Sequence, residues 1–334
     1  MGSRRRRRLL GLAVLLGVLV VSCLLSVAAG AKSIPLGDVW QALIAPAGAE
    51  NDLIVQQLRL PRTLVGVLAG AALGLAGALM QGHTRNPIAD PGILGITQGA
   101  ALAVVLAVYS FGISSLYGYI WFAFVGALLG AIAVFAIGSM GRGGSTPVTL
   151  ALAGMAISAL LQALTSALVL TDQESLDTYR FWKVGSIAIT DPGVLWQVAP
   201  FLVAGMVLAL ANASGLNALS LGDDVARGLG HRVEWTRRLG LLAIAVLVGG
   251  AAAVCGPISF VGLVVPHIAR FFTGSDHRWL LPFSALLGAS LVLLADVVGR
   301  LVARPAEVQV GVMLAMVGAP FFIALVRRRR LVRL

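Results

Sequence analysis

Asn217-Ala-Leu-Ser-Leu-Gly-Asp-Asp-Val-Ala-Arg-Gly-Leu-Gly-His231 is a compact, charged stretch in a chain that is otherwise mostly apolar. Ser220 is suited to cap a short helix at the start of this stretch. Asp223 and Asp224 then fall in the first turn, where negative charge interacts favourably with the helix dipole. The sequence therefore predicts a short polar helix between two much longer apolar segments.

The same short helix carries one apolar stripe. Leu221, Val225 and Leu229 recur at intervals of four residues and share a helix face. Gly228 and Gly230 are expected to end the helix and turn the chain. Such a helix rests either on a partner protein or in solvent and lipid headgroups, and the pattern alone leaves both open.

The composition of the chain is that of a membrane protein. Of its 334 residues, 58% are hydrophobic and 12% are charged, and the mean hydropathy is +0.93. Several apolar windows near 20 residues are long enough to cross a hydrocarbon core of about 30 Å. The two cysteines, Cys23 and Cys255, lie in apolar segments without metal-ligand spacing. We expect one all-α polytopic transmembrane domain over residues 1–334, with a cytoplasmic loop at 217–238.

The N-terminal apolar segment has two interpretations. Arg4 to Arg8 precede an apolar run from Leu9 to Ala29, and a basic start of this kind is typical of a signal peptide. The run of about 20 residues exceeds the usual signal-peptide core of 7–15 residues. We favour an uncleaved first membrane span, with a cleaved signal as the alternative.

Nine further spans are predicted, which gives ten in all. Turn-rich or charged loops separate them, and Gly256-Pro257 breaks an apolar run too long for one crossing, so that two short spans meet there. The second span is dense in glycine and alanine and is expected to pack inside the bundle. The predicted spans are about 9–29, 63–81, 92–111, 117–140, 147–170, 193–212, two within 240–272, 280–302 and 308–326.

Basic residues predict the orientation. With ten spans both termini lie on one side of the membrane, and most of the 25 lysines and arginines fall in the tails and loops of that side. Positive charge accumulates in the cytoplasm. Both termini and the Ser220 segment are therefore predicted to be cytoplasmic, in a multi-pass membrane protein.

A few arginines break this rule and point to a use on the outer side. Arg59 and Arg62 are predicted at the outer mouth of span two, and Arg300 near the outer end of span nine. Asp296 stands four residues before Arg300 and can pair with it along a helix. Arg59 and Arg62 have no acidic neighbour at helical spacing, which leaves both local anchoring and an external partner open.

The sequence lacks the motifs that would power transport or chemistry by itself. It shows no phosphate-binding glycine loop, no nucleophile elbow, no HExxH and no pair of carboxylates within the apolar spans. The chain is therefore not expected to be an enzyme. Either an ion gradient drives it, as in a secondary transporter, or a partner protein supplies the energy through the cytoplasmic helix.

Six motifs, in order along the chain, resemble those of FecCD-type permeases. These proteins are the membrane subunits of type II ABC importers for ferric siderophores, haem and cobalamin, and the resemblance extends from about residue 55 to the C-terminus. The motifs are Arg59-Leu-Pro-Arg-Thr63, Asn86-Pro-Ile-Ala-Asp-Pro-Gly92, Ala218-Leu-Ser-Leu-Gly-Asp-Asp-Val-Ala-Arg-Gly-Leu-Gly230, Gly256-Pro-Ile-Ser-Phe-Val-Gly-Leu-Val-Val-Pro-His267, Asp276-His-Arg278, and Gly311 with Gly318-Ala-Pro320.

The resemblance implies an architecture and a set of partners. A ten-span permease of the bacterial cytoplasmic membrane would pair with a second permease, identical or homologous, with two ATPase subunits and with an extracytoplasmic substrate-binding protein. ATP and Mg²⁺ would bind to the ATPases, and this chain would hold neither a cofactor nor a metal.

The resemblance also implies roles for particular residues. Arg59, Arg62 and Arg300 match the positions that dock the binding protein, and Ser145 and Thr146 match the cytoplasmic gate between spans four and five. The coupling helix, which sits in a cleft of the ATPase, matches Leu219, Leu221, Gly222, Asp223, Asp224, Val225, Ala226, Gly228, Leu229 and Gly230.

The substrate is predicted only by class. Phe181-Trp-Lys-Val-Gly-Ser186 resembles a segment common in siderophore permeases, although haem permeases carry related versions. A ferric siderophore is therefore the expected substrate, with haem or cobalamin as alternatives. A gradient-driven secondary transporter is the alternative from another class, and a structural membrane protein is more remote.

Overall fold

A computed structural model describes residues 2–30, 32–46, 48–140, 147–189 and 191–327. Within these residues every regular element is helical. The α-helices are α1 (Gly2–Ala28), α2 (Leu36–Ile44), α3 (Glu50–Leu53), α4 (Leu60–Thr84), α5 (Ile96–Phe111), α6 (Leu116–Ser139), α7 (Pro147–Val169), α8 (Gln173–Val184), α9 (Gly193–Ala211), α10 (Ala213–Leu219), α11 (Asp223–Gly228), α12 (Val233–Cys255), α13 (Val261–Thr273), α14 (His277–Val302) and α15 (Val310–Arg327).

The long helices confirm the all-α polytopic class. Seven helical segments are long and apolar enough to cross a membrane, and α5, α13 and α15 are shorter apolar helices. One of the seven is continuous from Glu50 to Thr84, because a π-helical turn at Ile54–Arg59 joins α3 to α4. The predicted total of ten spans stays a prediction.

The break at Gly256-Pro257 is confirmed, but the expected pair of short spans is not. The preceding helix, α12, is full length, because its polar first turns extend the helix seven residues before Gly240. Only α13, with 13 residues, is short. Gly256 adopts φ +68°, and a Cβ on it would lie 2.0 Å from the carbonyl oxygen of Trp182, so this position requires glycine.

Helix α4 lies at the centre of the bundle, as the density of small residues predicts. Its glycines permit contact with the backbones of neighbouring helices. A Cβ on Gly74 would lie 2.2 Å from the carbonyl oxygen of Ser284 in α14, and one on Gly77 would lie 2.0 Å from that of Gly262 in α13. The α4–α14 pair therefore forms the closely packed axis of the molecule.

The two ends of this axis define two opposite faces. At one end, which we call the coupling face, lie Arg85 after α4 and His277 at the start of α14. At the other end, the arginine face, lie Arg59 before α4 and Arg300 in the last turn of α14. Helix α1 packs along α14 and also extends between the two faces.

Candidate functional site: a coupling face and an opposite arginine cluster

The charged segment of the sequence lies on the coupling face, between α9 and α12. Helix α11 begins at Asp223, and its N-cap is Gly222, with φ +106°. The prediction that Ser220 caps this helix is wrong. Ser220 follows the end of α10 with helical backbone angles. Its Oγ donates a hydrogen bond back to the carbonyl oxygen of Asn217 at 2.7 Å.

The two aspartates of the first turn have different surroundings. Asp223 accepts ion-pair contacts from Arg85 at 2.5 Å and from Arg237 at 2.7 Å, which join α11 to the ends of α4 and α12. The Asp224 side chain is fully exposed and pairs with Arg227 at 3.3 Å. Asp223 therefore positions the helix, whereas Asp224 is accessible to a partner.

The three residues of the predicted apolar stripe are exposed, but they do not share one helix, because Leu221 precedes the N-cap of α11 and Leu229 is its C-cap. Leu221, Val225 and Leu229 are 59%, 50% and 61% exposed. On the other side of the segment, Leu219 and Ala226 are buried in a small cluster with Ala218 and Val233. The segment is consequently two-sided, with a packed base beneath an exposed apolar ridge that we define as Leu221, Val225 and Leu229.

The glycines shape the ends of α11, as predicted for Gly228 and Gly230. The helix ends at Gly228, and Gly230 adopts φ +82° where the chain turns toward α12. Among the described residues, nothing beyond the adjoining backbone lies within 4 Å of a Cβ built on Gly222, Gly228 or Gly230, so all three border open space. The surface around the ridge is therefore unobstructed.

Hydrogen bonds tie the segment to two other helices. Asn217 Oδ1 accepts from the backbone N–H of His277 at 2.8 Å, and Asn217 Nδ2 donates to Asp276 Oδ1 at 2.9 Å. Arg8 of α1 reaches the same place, donating to Asp276 Oδ2 at 3.3 Å and to the carbonyl oxygen of Thr273 at 2.6 Å. The N-terminal end of α1 thus lies on the coupling face.

On the opposite face, Arg59 and Arg300 hold the C-terminal end of α1. Arg59 is 6% exposed and donates to the carbonyl oxygens of Val27 at 2.9 Å, of Ala28 at 2.6 Å and of Lys32. Arg300 is 4% exposed and donates to the carbonyl oxygens of Ser26 and Ala29 at 3.0 and 2.6 Å. Carbonyls at the end of a helix lack intrahelical partners, and here the two guanidinium groups satisfy them.

Arg62 has acidic partners that sequence spacing does not reveal. Its guanidinium binds the Asp296 carboxylate in a bidentate manner, at 3.1 and 2.7 Å, and reaches Glu307 at 2.8 Å. Asp296 is fully buried and also pairs with Arg300 at 3.0 Å, as the four-residue spacing predicts. The absence of an acidic neighbour at helical spacing therefore did not mean that Arg62 lacked an internal partner.

These arginines border a cavity of about 450 Å³ on the arginine face. Arg59, Arg62 and Arg300, which we call the arginine cluster, line it together with Lys32 and Glu307. Lys32 and Glu307 are the exposed members of this group. Arg62 is the most exposed of the three arginines, because Arg59 and Arg300 turn toward α1. The docking role of the three arginines stays a prediction.

The predicted gate lies outside the described residues. Ser145 and Thr146 fall in the segment between the end of α6 at Ser139 and the start of α7 at Pro147. Proline as the first residue of α7 agrees with its predicted place in the first helical turn. Among the described residues, no three histidine, cysteine, aspartate or glutamate side chains cluster in a way that could hold a metal ion.

Comparisons with known proteins agree with this architecture. The sequence model of the FecCD transport family matches residues 18–328. The chain is similar to the ferric enterobactin transport system permease protein FepD of Escherichia coli (strain K12), with 47% identity over 98% of each chain. It is also similar to the hemin transport system permease protein HmuU of Yersinia pestis, with 39% identity over 99% of this chain and 98% of that one.

A solved structure shows the same fold. It is described as an inward-facing conformation of a metal-chelate type ABC transporter, and it superposes with a TM-score of 0.83 at 32% identity. The match covers 97% of this chain and 99% of the other. The likeness therefore spans nearly the whole of both chains.

Proposed function

The chain belongs to the FecCD transport family, and we propose that it is the permease subunit of an ATP-driven ABC importer that takes up a ferric siderophore. Permeases for ferric enterobactin, ferric hydroxamates and ferric citrate are among its relatives. Haem is the second candidate substrate, since HmuU of Yersinia pestis is 39% identical. Family membership argues against a gradient-driven secondary transporter.

The exposed apolar ridge carries the proposal of ATP coupling. A six-residue helix is too short to be stable alone, yet α11 is held in place by Asp223 and by its buried base. Large apolar side chains exposed together on such a helix and at its two ends are typical of a protein contact. We therefore assign the ridge to an apolar groove on an ATPase subunit, with Asp224 at the polar rim.

The remaining partners follow from the family. The permease would act with a second permease, identical or homologous, with two ATPase subunits that bind ATP and Mg²⁺, and with an extracytoplasmic binding protein. The coupling face would lie in the cytoplasm and the arginine face outside, with both termini cytoplasmic. No cofactor is assigned to this chain.

Two further site assignments rest on the motif matches. The arginine cluster would dock acidic side chains of the binding protein, with Arg62 as the most accessible contact. Ser145 and Thr146 would form the cytoplasmic gate. Cysteines placed at either gate position should crosslink across the permease dimer in at least one nucleotide state, and failure in every state would reject the gate.

The coupling proposal is tested by Val225→Glu. This change places a charge in the centre of the ridge, where it would be buried without a partner in the ATPase groove. In proteoliposomes holding the assembled importer, we expect uptake of radioiron-labelled ferric enterobactin to fall at least tenfold, while the permease still inserts into the membrane. Val225→Ile keeps the apolar surface and should retain uptake. Normal ATP-dependent uptake by the glutamate variant would show that α11 is not the coupling element.

A further inference from the structure

A second cavity, of about 220 Å³, lies deep in the bundle where two interrupted helices begin. Leu73, which lines it, is eleven residues before the end of α4, so the cavity lies about 16 Å from that end of the helix. Helices α5 and α13 both begin at this cavity, after Gly95 and Phe260 in left-handed conformations. We call it the Asp90 pocket, because Asp90 is the charged side chain among its lining residues.

The pocket has three other polar side chains, whose hydrogen-bonding groups are not used within the described part of the protein. Thr97 and Gln98 lie in the first turn of α5, and Ser259 lies just before α13. Within the part of the chain that the structure describes, none of the three makes a side-chain hydrogen bond. Polar groups at this depth usually pair with one another or line a route for substrate. The hydrogen-bonding capacity of the pocket is therefore available to a ligand.

Local turn chemistry does not account for the charge on Asp90. Its Oδ1 accepts a hydrogen bond from the backbone N–H of Gly92 at 2.8 Å, in the sequence Asp-Pro-Gly. The same sequence recurs at Asp191, whose Oδ1 accepts from Gly193 N–H at 2.7 Å, but that carboxylate is exposed. Asparagine caps such turns about as well as aspartate. The turn therefore does not explain why this half-buried position inside the bundle carries a carboxylate and not a neutral amide.

The Asp90 pocket adjoins a larger cavity that extends to the arginine face. This larger cavity, of about 510 Å³, is lined by Glu307, which also borders the arginine cluster, and by Asp177 and Gln309. Gly256 lines both this cavity and the Asp90 pocket, so the two cavities are adjacent at that residue. At 220 Å³ the pocket is smaller than the usual 300–1,000 Å³ of a complete ligand site, and it suits one arm of a large chelate.

We propose that the Asp90 pocket is an intramembrane subsite for the transported chelate, in which Asp90 accepts hydrogen bonds from amide or hydroxyl groups on the chelate's periphery. Thr97, Gln98 and Ser259 supply further hydrogen bonds to the same groups. The N-terminal ends of α5 and α13, which are the positive ends of the helix dipoles, stabilise the carboxylate when no substrate is bound. This inference rests on the proposed import function and adds a place where the substrate is bound along its path.

The test uses the complete importer in proteoliposomes, with radioiron-labelled ferric enterobactin as the probe and a ferric trihydroxamate as a second probe. At saturating loaded binding protein, Asp90→Asn should lower uptake about tenfold, because hydrogen bonds to a charged carboxylate are replaced by weaker ones to a neutral amide oxygen. The amount of assembled complex and the ATP hydrolysis stimulated by docking should stay at the wild-type level. Asp191→Asn, the matched change in the exposed Asp-Pro-Gly turn, should leave uptake unchanged.

Thr97→Val decides the question if Asp90→Asn fails to assemble, because it removes one hydroxyl while keeping the side-chain shape. It should lower uptake several-fold in a normally assembled complex. Wild-type uptake by an assembled Asp90→Asn variant would overturn the inference, as would wild-type uptake by Thr97→Val when the asparagine variant does not assemble. A wild-type complex that imports neither probe would instead contradict the proposed siderophore import.

Discussion

Asp296 stands between two guanidinium groups in the interior of the arginine face. It is fully buried, binds Arg62 through both oxygens and pairs with Arg300. Glu307 binds the same Arg62, but its side chain is 44% exposed. Two carboxylates that bind the same arginine thus differ in their contact with solvent. Removing the buried one should lower the stability of the protein more than removing the exposed one.

We expect Asp296→Asn to be severely destabilising and Glu307→Gln to be mild. Removing one member of a buried ion pair costs about 3–5 kcal/mol, since the remaining charge is left uncompensated, whereas exposed pairs contribute about 0.2–1 kcal/mol. Thermal unfolding of the purified permease in detergent, followed by size-exclusion chromatography, measures both. Equal stability of the two variants would show that Asp296 is not a structural centre of this face.

Among the helices, the contact between α4 and α14 depends on glycine. A Cβ on Gly74 would meet backbone atoms of Ser284 at 2.2 and 3.0 Å, and a backbone cannot yield as a side chain can. Gly17, in the middle of α1, has no atom of another described element within 4 Å of its Cβ position. The same substitution should therefore have opposite outcomes at these two helical glycines.

Gly74→Val is expected to force α4 and α14 apart and to abolish the monodisperse permease peak in size-exclusion chromatography. Gly17→Val should leave that peak unchanged, since both variants add the same branched side chain to a helix and only the packing differs. A monodisperse Gly74→Val protein would indicate that the bundle tolerates separation of its central helices.

The helices were predictable to the extent that their determinants are local. Hydropathy placed most long helices within a few residues, and the glycine-proline break before α13 was found from sequence. The early start of α12 was missed, because its first turns are polar and only packing makes them helical. Ser220 was assigned as a cap by residue type, whereas the positive φ at Gly222 decides where α11 begins. The partners of Arg62 were missed because Asp296 is 234 residues away.

At the scale of the whole molecule, the two faces predict how the protein sits in the membrane. Gly37 in α2 lies near the arginine face and Gly228 in α11 lies on the coupling face, and both have open space around them. A membrane-impermeant maleimide applied to spheroplasts should label Gly37→Cys, and should label Gly228→Cys only after permeabilisation. The chain without an added cysteine, in which Cys23 is partly buried and Cys255 is buried, measures the background labelling. The reverse pattern would invert the proposed orientation.

The docking of a binding protein on the arginine face would require Arg62 to exchange partners. Its guanidinium already contacts Asp296 and Glu307, so an external carboxylate would compete with them. Asp296 is buried and shared with Arg300, and it would stay in place. Glu307 is exposed enough to move aside, and it is therefore the internal competitor that docking must displace.

Removing this competitor should strengthen docking. Glu307→Gln abolishes an exposed pair worth about 0.2–1 kcal/mol, which corresponds to an affinity gain of about 1.4- to 5-fold for the binding protein. Arg62→Gln should weaken the same affinity, and the double variant should bind like Arg62→Gln, because Glu307 acts only through that arginine. Affinities are measured on correctly inserted, monodisperse transporter in nanodiscs. If Glu307→Gln and Arg62→Gln both bind as the wild type does, Arg62 serves the fold alone, and the binding protein is recognised elsewhere on this face.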